Sequence, residues 1–204
     1  MNCSLNVFGE QFFLFTNSST MNKKIIIYQV LPRLYGNKVA NPVPYGSIER
    51  NGCGKFVDFT SARLKKIRDL GVTHVWFTGI LEHATTTDYT AYGIKKDCES
   101  IVKGNAGSPY AVKDYYDVDP DLAVNVPQRM EEFEALLART HRAGMKVVID
   151  FVPNHVARTY NSDAAPKGVE DFGASDDKTQ SFNPDNNFYY IPNEPFRCPV
   201  QGRE

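Results

Sequence analysis

Apolar residues gather along this chain in three short runs, separated by amphipathic or polar stretches. The first, Ile25-Ile26-Ile27-Tyr28-Gln29-Val30-Leu31, is bounded by Lys23-Lys24 and by Pro32. The second is Val72-Thr73-His74-Val75-Trp76-Phe77-Thr78, and the third runs from Lys146 to Val152. Their lengths and β-branching predict strands rather than helices. The third is apolar enough to predict a strand buried on both faces, as in a parallel sheet. Pro153 has no N–H for a ladder, so regular pairing is expected to stop near it.

Between these runs the period changes to that of helices. Phe59-Thr60-Ser61 offers hydroxyl caps, and Leu64, Ile67 and Leu70 then recur on one face until Gly71 ends the element. Asn125 to Ala143 predicts a second helix, with Asn125 as cap, Pro127 in the first turn and Glu131-Glu132 at the positive end of the dipole. Met130, Phe133, Leu137 and Thr140 form its apolar stripe, and Gly144 closes it. Strand, helix, strand, helix, strand is the pattern of a parallel α/β sheet. Gly36 to Gly54 reads as loop. Tyr110 to Pro120 is aromatic and acidic and fits neither period. Beyond His155 the chain turns polar, and Phe188-Tyr189-Tyr190-Ile191 predicts one short strand.

Composition narrows the function classes. The chain has 204 residues, 42% of them hydrophobic, and a net charge of −1, so no electrostatic case exists for nucleic acid or an anionic membrane. Cys3, Cys53, Cys98 and Cys198 form no C-x-x-C pair, which argues against a zinc site; reduced thiols are expected, with a Cys53–Cys98 bridge left open. Phe12-Phe13-Leu14-Phe15 is preceded by no Lys or Arg and is too short to span a bilayer, so residues 1–20 are expected to be a poorly ordered extension of a cytoplasmic protein. No phosphate loop or G-x-G-x-x-G follows the first strand.

The candidate chemistry sits at the end of the third strand. Asp150, Asn154 and His155 cluster there. Polar groups just past the carboxyl end of a buried parallel strand are where a barrel places its active site; a solvated loop is the plainer alternative.

Five segments, in order, carry a resemblance to a known family: Tyr28-Gln29-Val30 with Pro32, Gly71 to Trp76, Tyr110 to Tyr115, Val118-Asp119-Pro120, and Asp150-Phe151-Val152-Pro153-Asn154-His155. Together they resemble the opening of the α-amylase family of glycoside hydrolases. The resemblance implies an α/β fold, part of a TIM (β/α)8 barrel comprising its first three strands. It places that barrel part at residues 21–155 and the beginning of a small inserted domain, truncated, at residues 156–204. It implies cleavage of α-glucosidic bonds in starch, glycogen or maltooligosaccharides with retention, by two carboxyl groups about 5–5.5 Å apart. A transglycosylase or isomerase of the family, or a non-catalytic glucan-binding module, are the alternatives. The family's nucleophilic Asp, acid Glu and third Asp follow later strands, so no catalytic residue is assigned and the chain is expected to be inactive alone.

The resemblance also implies roles for residues that are present. Tyr110 stacks under the sugar at the cleavage subsite, and His155 hydrogen-bonds that sugar; His83 is expected to line the cleft from its place after the second strand, not from a match to a family residue. Asp150 is structural to the site; its usual arginine partner is absent, so an unpaired carboxylate is expected. Asn154 is a calcium ligand in many members, with Asp163, Asp171, Asp176 and Asp177 as unplaced candidates beside it. Trp76 is expected in the core, and Tyr115 and Tyr116 in packing. An α-glucan is the only partner implied.

Overall fold

In the computed structural model, residues 24–194 are described; the expectations for residues 1–20, Cys3 and Cys198 lie outside them. Three strands, β1 (Ile27–Val30), β2 (His74–Phe77) and β5 (Lys146–Ile149), form a parallel sheet in the order β1-β2-β5. A second, antiparallel pair joins β3 (Leu81–His83) to β4 (Val112–Val118). Two helices matter for packing, α1 (Ser61–Asp69) and α2 (Arg129–Arg142).

Helix α1 begins where the hydroxyl of Thr60 accepts the N–H of Arg63, and it ends at Gly71, whose φ is +85°. Leu64 and Ile67 are buried, but Leu70 is 71% exposed, because it caps the helix after the apolar face has turned away. Helix α2 starts later than Asn125. A 3-10 turn occupies Val126–Gln128, and the Asn125 side chain donates to Gln128 (2.9 Å). The carboxylate of Glu132 instead accepts the N–H groups of Val124 (2.9 Å) and Asn125 (2.6 Å). Phe133, Leu136 and Thr140 are its buried residues, while Met130 and Leu137 pack at the margin.

One core lies between the helices and one face of the parallel sheet. Phe56, Phe59, Phe77, Leu64, Val75 and Leu136 are fully buried in it. Tyr35 stacks on Phe59 at 4.3 Å, and Phe59 meets Phe77 edge-on at 5.0 Å. Burying each such side chain is worth about 1.5–3 kcal/mol. Arg139 pins α2 to this layer through the carbonyls of Phe56 (2.8 Å) and Phe59 (3.2 Å).

The third predicted strand is corrected in two respects. Pairing stops at Ile149, ahead of Pro153, and β5 is not buried on both faces: Ile149 is 40% and Phe151 71% exposed. Among the described residues β5 lies at a sheet edge, so Ile149, although in register with the core-facing Phe77, sits where the packed layer ends. The strand expected at residues 188–191 is a loop, because the carboxylate of Asp176 takes the N–H of Phe188 (3.0 Å) and the hydroxyl of Tyr190 (2.9 Å). Conversely, β4 was unreadable as a strand because acids occupy both of its faces. Cys53 and Cys98 are free thiols. Among the described residues, no helix is long and apolar enough to cross a membrane.

Candidate active site

The carboxyl-terminal tips of β2 and β5 meet at Asp150. Along β2, Val75 and Phe77 face the core, so period-two geometry turns Trp76 to the opposite side. Its indole N–H donates to one oxygen of Asp150 at 2.7 Å, and the N–H of Gly79 donates to the other at 3.2 Å. The expectation of an unpaired Asp150 is thereby corrected: an indole and a backbone amide supply the partners that an arginine would have supplied. Trp76, expected in the core, is half-buried and belongs to this tip.

Gly79 links the tip to the aromatic candidate. Its φ is +74°, and a Cβ there would lie 2.8 Å from Pro109, so the loop carrying Pro109 and Tyr110 rests directly on it. Tyr110 is 44% exposed and lines a shallow hollow with Tyr45, Lys103, Ser108 and Pro109. Asn154 and His155 are exposed on the loop after β5. That loop is lashed to β4: Ala157 N–H donates to Val112 (2.7 Å), Asn161 N–H to Lys113 (3.1 Å), and the Tyr115 hydroxyl to the carbonyls of Val152 and His155. Both sugar-facing candidates are thus held by β4, Tyr110 just before its start and His155 alongside it, but His155 is not in the wall of the Tyr110 hollow.

His83 stands elsewhere. It is 2% exposed, its two ring nitrogens 3.2 Å from the carbonyls of Leu81 and Ala106. In this position it fastens the 105–107 loop and presents no ring face to an open cleft. Beside it, Arg33 forks onto Asp119 (3.1 Å) and Asp121 (2.9 Å) at the wall of a cavity of about 570 Å³, which Asn37, Tyr45, Thr87 and Asn105 also line. Burial pushes the Asp119 carboxyl above its ordinary range against the pull of His83 and Arg33. Loop composition alone did not reveal this cavity.

The calcium candidates separate. Asp176 and Asp177 are committed to N–H and hydroxyl groups of their own loop, and Asp171 accepts the N–H of Ser162 (3.1 Å). Among the described residues, one acidic group is close enough to hold a metal: Glu82, Asp114, Asp117 and Asp163, with carboxylate oxygens within 4.8 Å of one another. Burial and then the nearby Asp163 push the Glu82 carboxyl up to about 8, against the pull of Lys113.

The alpha-amylase catalytic domain profile matches residues 44–195. The chain belongs to the α-amylase family. Within that family it is 26% identical to maltase 1 of Drosophila virilis over 151 residues, which is 72% of this chain and 18% of the maltase. It is 44% identical over 48 residues to the human amino acid transporter heavy chain SLC3A1, covering 24% of this chain and 6% of that protein. A solved α-amylase from Lactobacillus plantarum shares 30% identity over 66% of this chain and 24% of its own, with a TM-score of 0.44. The chain therefore spans about a fifth of the α-amylase family relatives it matches along most of its length.

Proposed function

We propose that residues 24–194 supply the sugar-gripping side of an α-glucosidase-type active site, acting on maltooligosaccharides or longer α-glucans. The observation that carries this reading is Asp150 at the tip of the parallel sheet, held by Trp76 and Gly79, with Pro109, the residue before Tyr110, seated on Gly79 and His155 on the following loop. In this reading β1, β2 and β5 are the first three strands of an eight-fold barrel, and residues 156–194 begin an inserted domain. The apolar C–H face of a glucose ring stacks on Tyr110, and His155, outside the wall of that hollow, offers its imidazole to a hydroxyl further along the glucan. Asp150 orients groups at the floor and transfers no proton. Asn154 offers an amide oxygen suited to a hard cation, but Asp171, Asp176 and Asp177 do not gather into a ligand set for it. The bond-breaking carboxylates belong to later strands of the barrel, so the 204-residue chain is inactive alone.

Trp76 is the sole tryptophan and touches Asp150, so its fluorescence reports on the site. Titration with maltotriose is expected to change that emission saturably, and Tyr110→Ala or His155→Ala to weaken binding about 3- to 10-fold. The chain alone is expected to release no glucose from maltotriose above a buffer blank. Saturable binding that neither variant weakens removes both residues from the sugar site, and glucose release removes the claim of inactivity. The similarity to a transporter heavy chain supports a second reading, a non-catalytic interaction module. Absence of any maltotriose response from Trp76 favours it.

A further inference from the structure

We propose that Glu82, Asp114, Asp117 and Asp163 bind one calcium ion, at a site distinct from Asn154 and independent of the sugar-binding reading. The register of β3 on β4 sets Glu82 opposite Asp114, between two irregularities of the ladder. Like charges facing each other across a strand pair are destabilising unless something lies between them. Asp117, from the same strand, and Asp163, from the polar segment after β5, bring two more carboxylates to within 4.8 Å. Oxygens that share one Ca²⁺ at about 2.3–2.6 Å stand no more than about 5 Å apart, so these four can occupy one coordination shell.

A second observation points to a ligand. Glu82 is 1% exposed, and its Oε2 is buried without a hydrogen-bond partner. Leaving a buried carboxylate oxygen unsatisfied is costly, and a hard cation relieves it. The neighbouring positive charges do not complete the balance. Arg129 donates through Nε to both oxygens of Asp117 (2.9 and 2.8 Å) and reaches Asp163 at 3.3 Å. Lys113 stands 3.6 Å from Glu82 and is shared with Asp97 at 3.2 Å. With Asp97 counted, five acidic side chains face only Arg129 and Lys113, an excess of acid that a divalent ion would offset. Asp114 accepts the N–H groups of Asp163 (3.0 Å) and Ala164 (3.1 Å) on one oxygen and that of Tyr116 (2.7 Å) on the other, which keeps about one lone pair for a metal. Asp163 is exposed and gives the ion a path from solvent.

Such an ion would clip the segment after β5 to the β3–β4 pair, the same pair that holds Tyr110 and His155. Equilibrium dialysis of the metal-free 204-residue chain against CaCl2 is expected to show one ion per chain. Excess calcium is expected to raise the thermal midpoint by about 5–10 °C relative to EGTA. Glu82→Gln and, as a surface variant that keeps the fold, Asp163→Asn should each abolish both effects, while Asn154→Ala leaves them intact. No calcium uptake, uptake unchanged in both acidic variants, or uptake lost only in Asn154→Ala would overturn the proposal.

Discussion

At Gly107 a single hydrogen in place of a methyl decides how the loop over His83 closes. Its φ is +75°, and a Cβ would lie 1.7 Å from the backbone oxygen of Ala84 and 3.3 Å from the His83 ring. Gly104, three residues earlier, has a φ of +66° and open space around it. Gly104→Ala should therefore lose only the left-handed strain, about 1–2 kcal/mol. Gly107→Ala should lose that and a further 1–3 kcal/mol or so of overpacking, because backbone cannot step aside as a flexible side chain can. Urea midpoints compare the two, and equal losses would refute the contact. Its place past a strand end made Asp150 legible as a candidate, and the family resemblance marked Tyr110. Neither showed that the indole of Trp76 satisfies Asp150, because that bond spans 74 positions of chain. The alternation of Val75, Trp76 and Phe77 was the available signal, since a core on one face of β2 must turn the tryptophan to the other.

Elements were legible where a single face meets a single core. Helix α1, the boundaries near Gly71 and Gly144, and the parallel order of the three apolar runs follow from spacing and turn chemistry. Where faces are mixed the pattern was silent. The β4 strand carries Lys113, Asp114 and Asp117 buried alongside Val112 and Val118, so neither period two nor 3.6 appears in it. On α2 the stripe missed Leu136, which is fully buried, and on α1 it included Leu70, which is not. This difference is measurable. Leu136→Ala should destabilise by about 2–5 kcal/mol, as for a cavity at the centre of a core. Leu70→Ala should stay within about 0.5 kcal/mol, as for a surface site. Thermal or urea unfolding of the two variants checks the assignment, and comparable losses would place Leu70 in the core.

On the scale of the whole molecule, the described residues cover the parallel sheet on the helical side alone. Ile26, Tyr28 and Val30 of the first run face the core, and the alternate Ile25 and Ile27 are 66% and 54% exposed. At the opposite edge Ile149, in register with the core-facing Phe77, and Phe151 beyond it are also exposed, so each edge strand, β1 and β5, carries apolar surface. Apolar surface next to free strand edges binds hydrophobic dyes and favours association. The 204-residue chain should therefore enhance ANS emission and elute earlier from a sizing column as its concentration rises. The double variant Ile27→Lys, Ile149→Lys should reduce both effects without lowering the thermal midpoint. A monomer that leaves ANS dark would contradict this arrangement.

Local sequence determined what needs only near neighbours: which runs extend, which stretches coil, where glycines turn the chain, and the order of segments that marks the family. Tertiary structure decided what depends on distant partners. It paired Asp150 with Trp76 and Gly79, buried His83 beneath a loop, set Glu82 against Asp114, and left β5 at an edge. The physical reason is that periodicity records which way a side chain points, whereas charge balance and burial are set by what stands opposite, and that is fixed only once the chain has closed on itself.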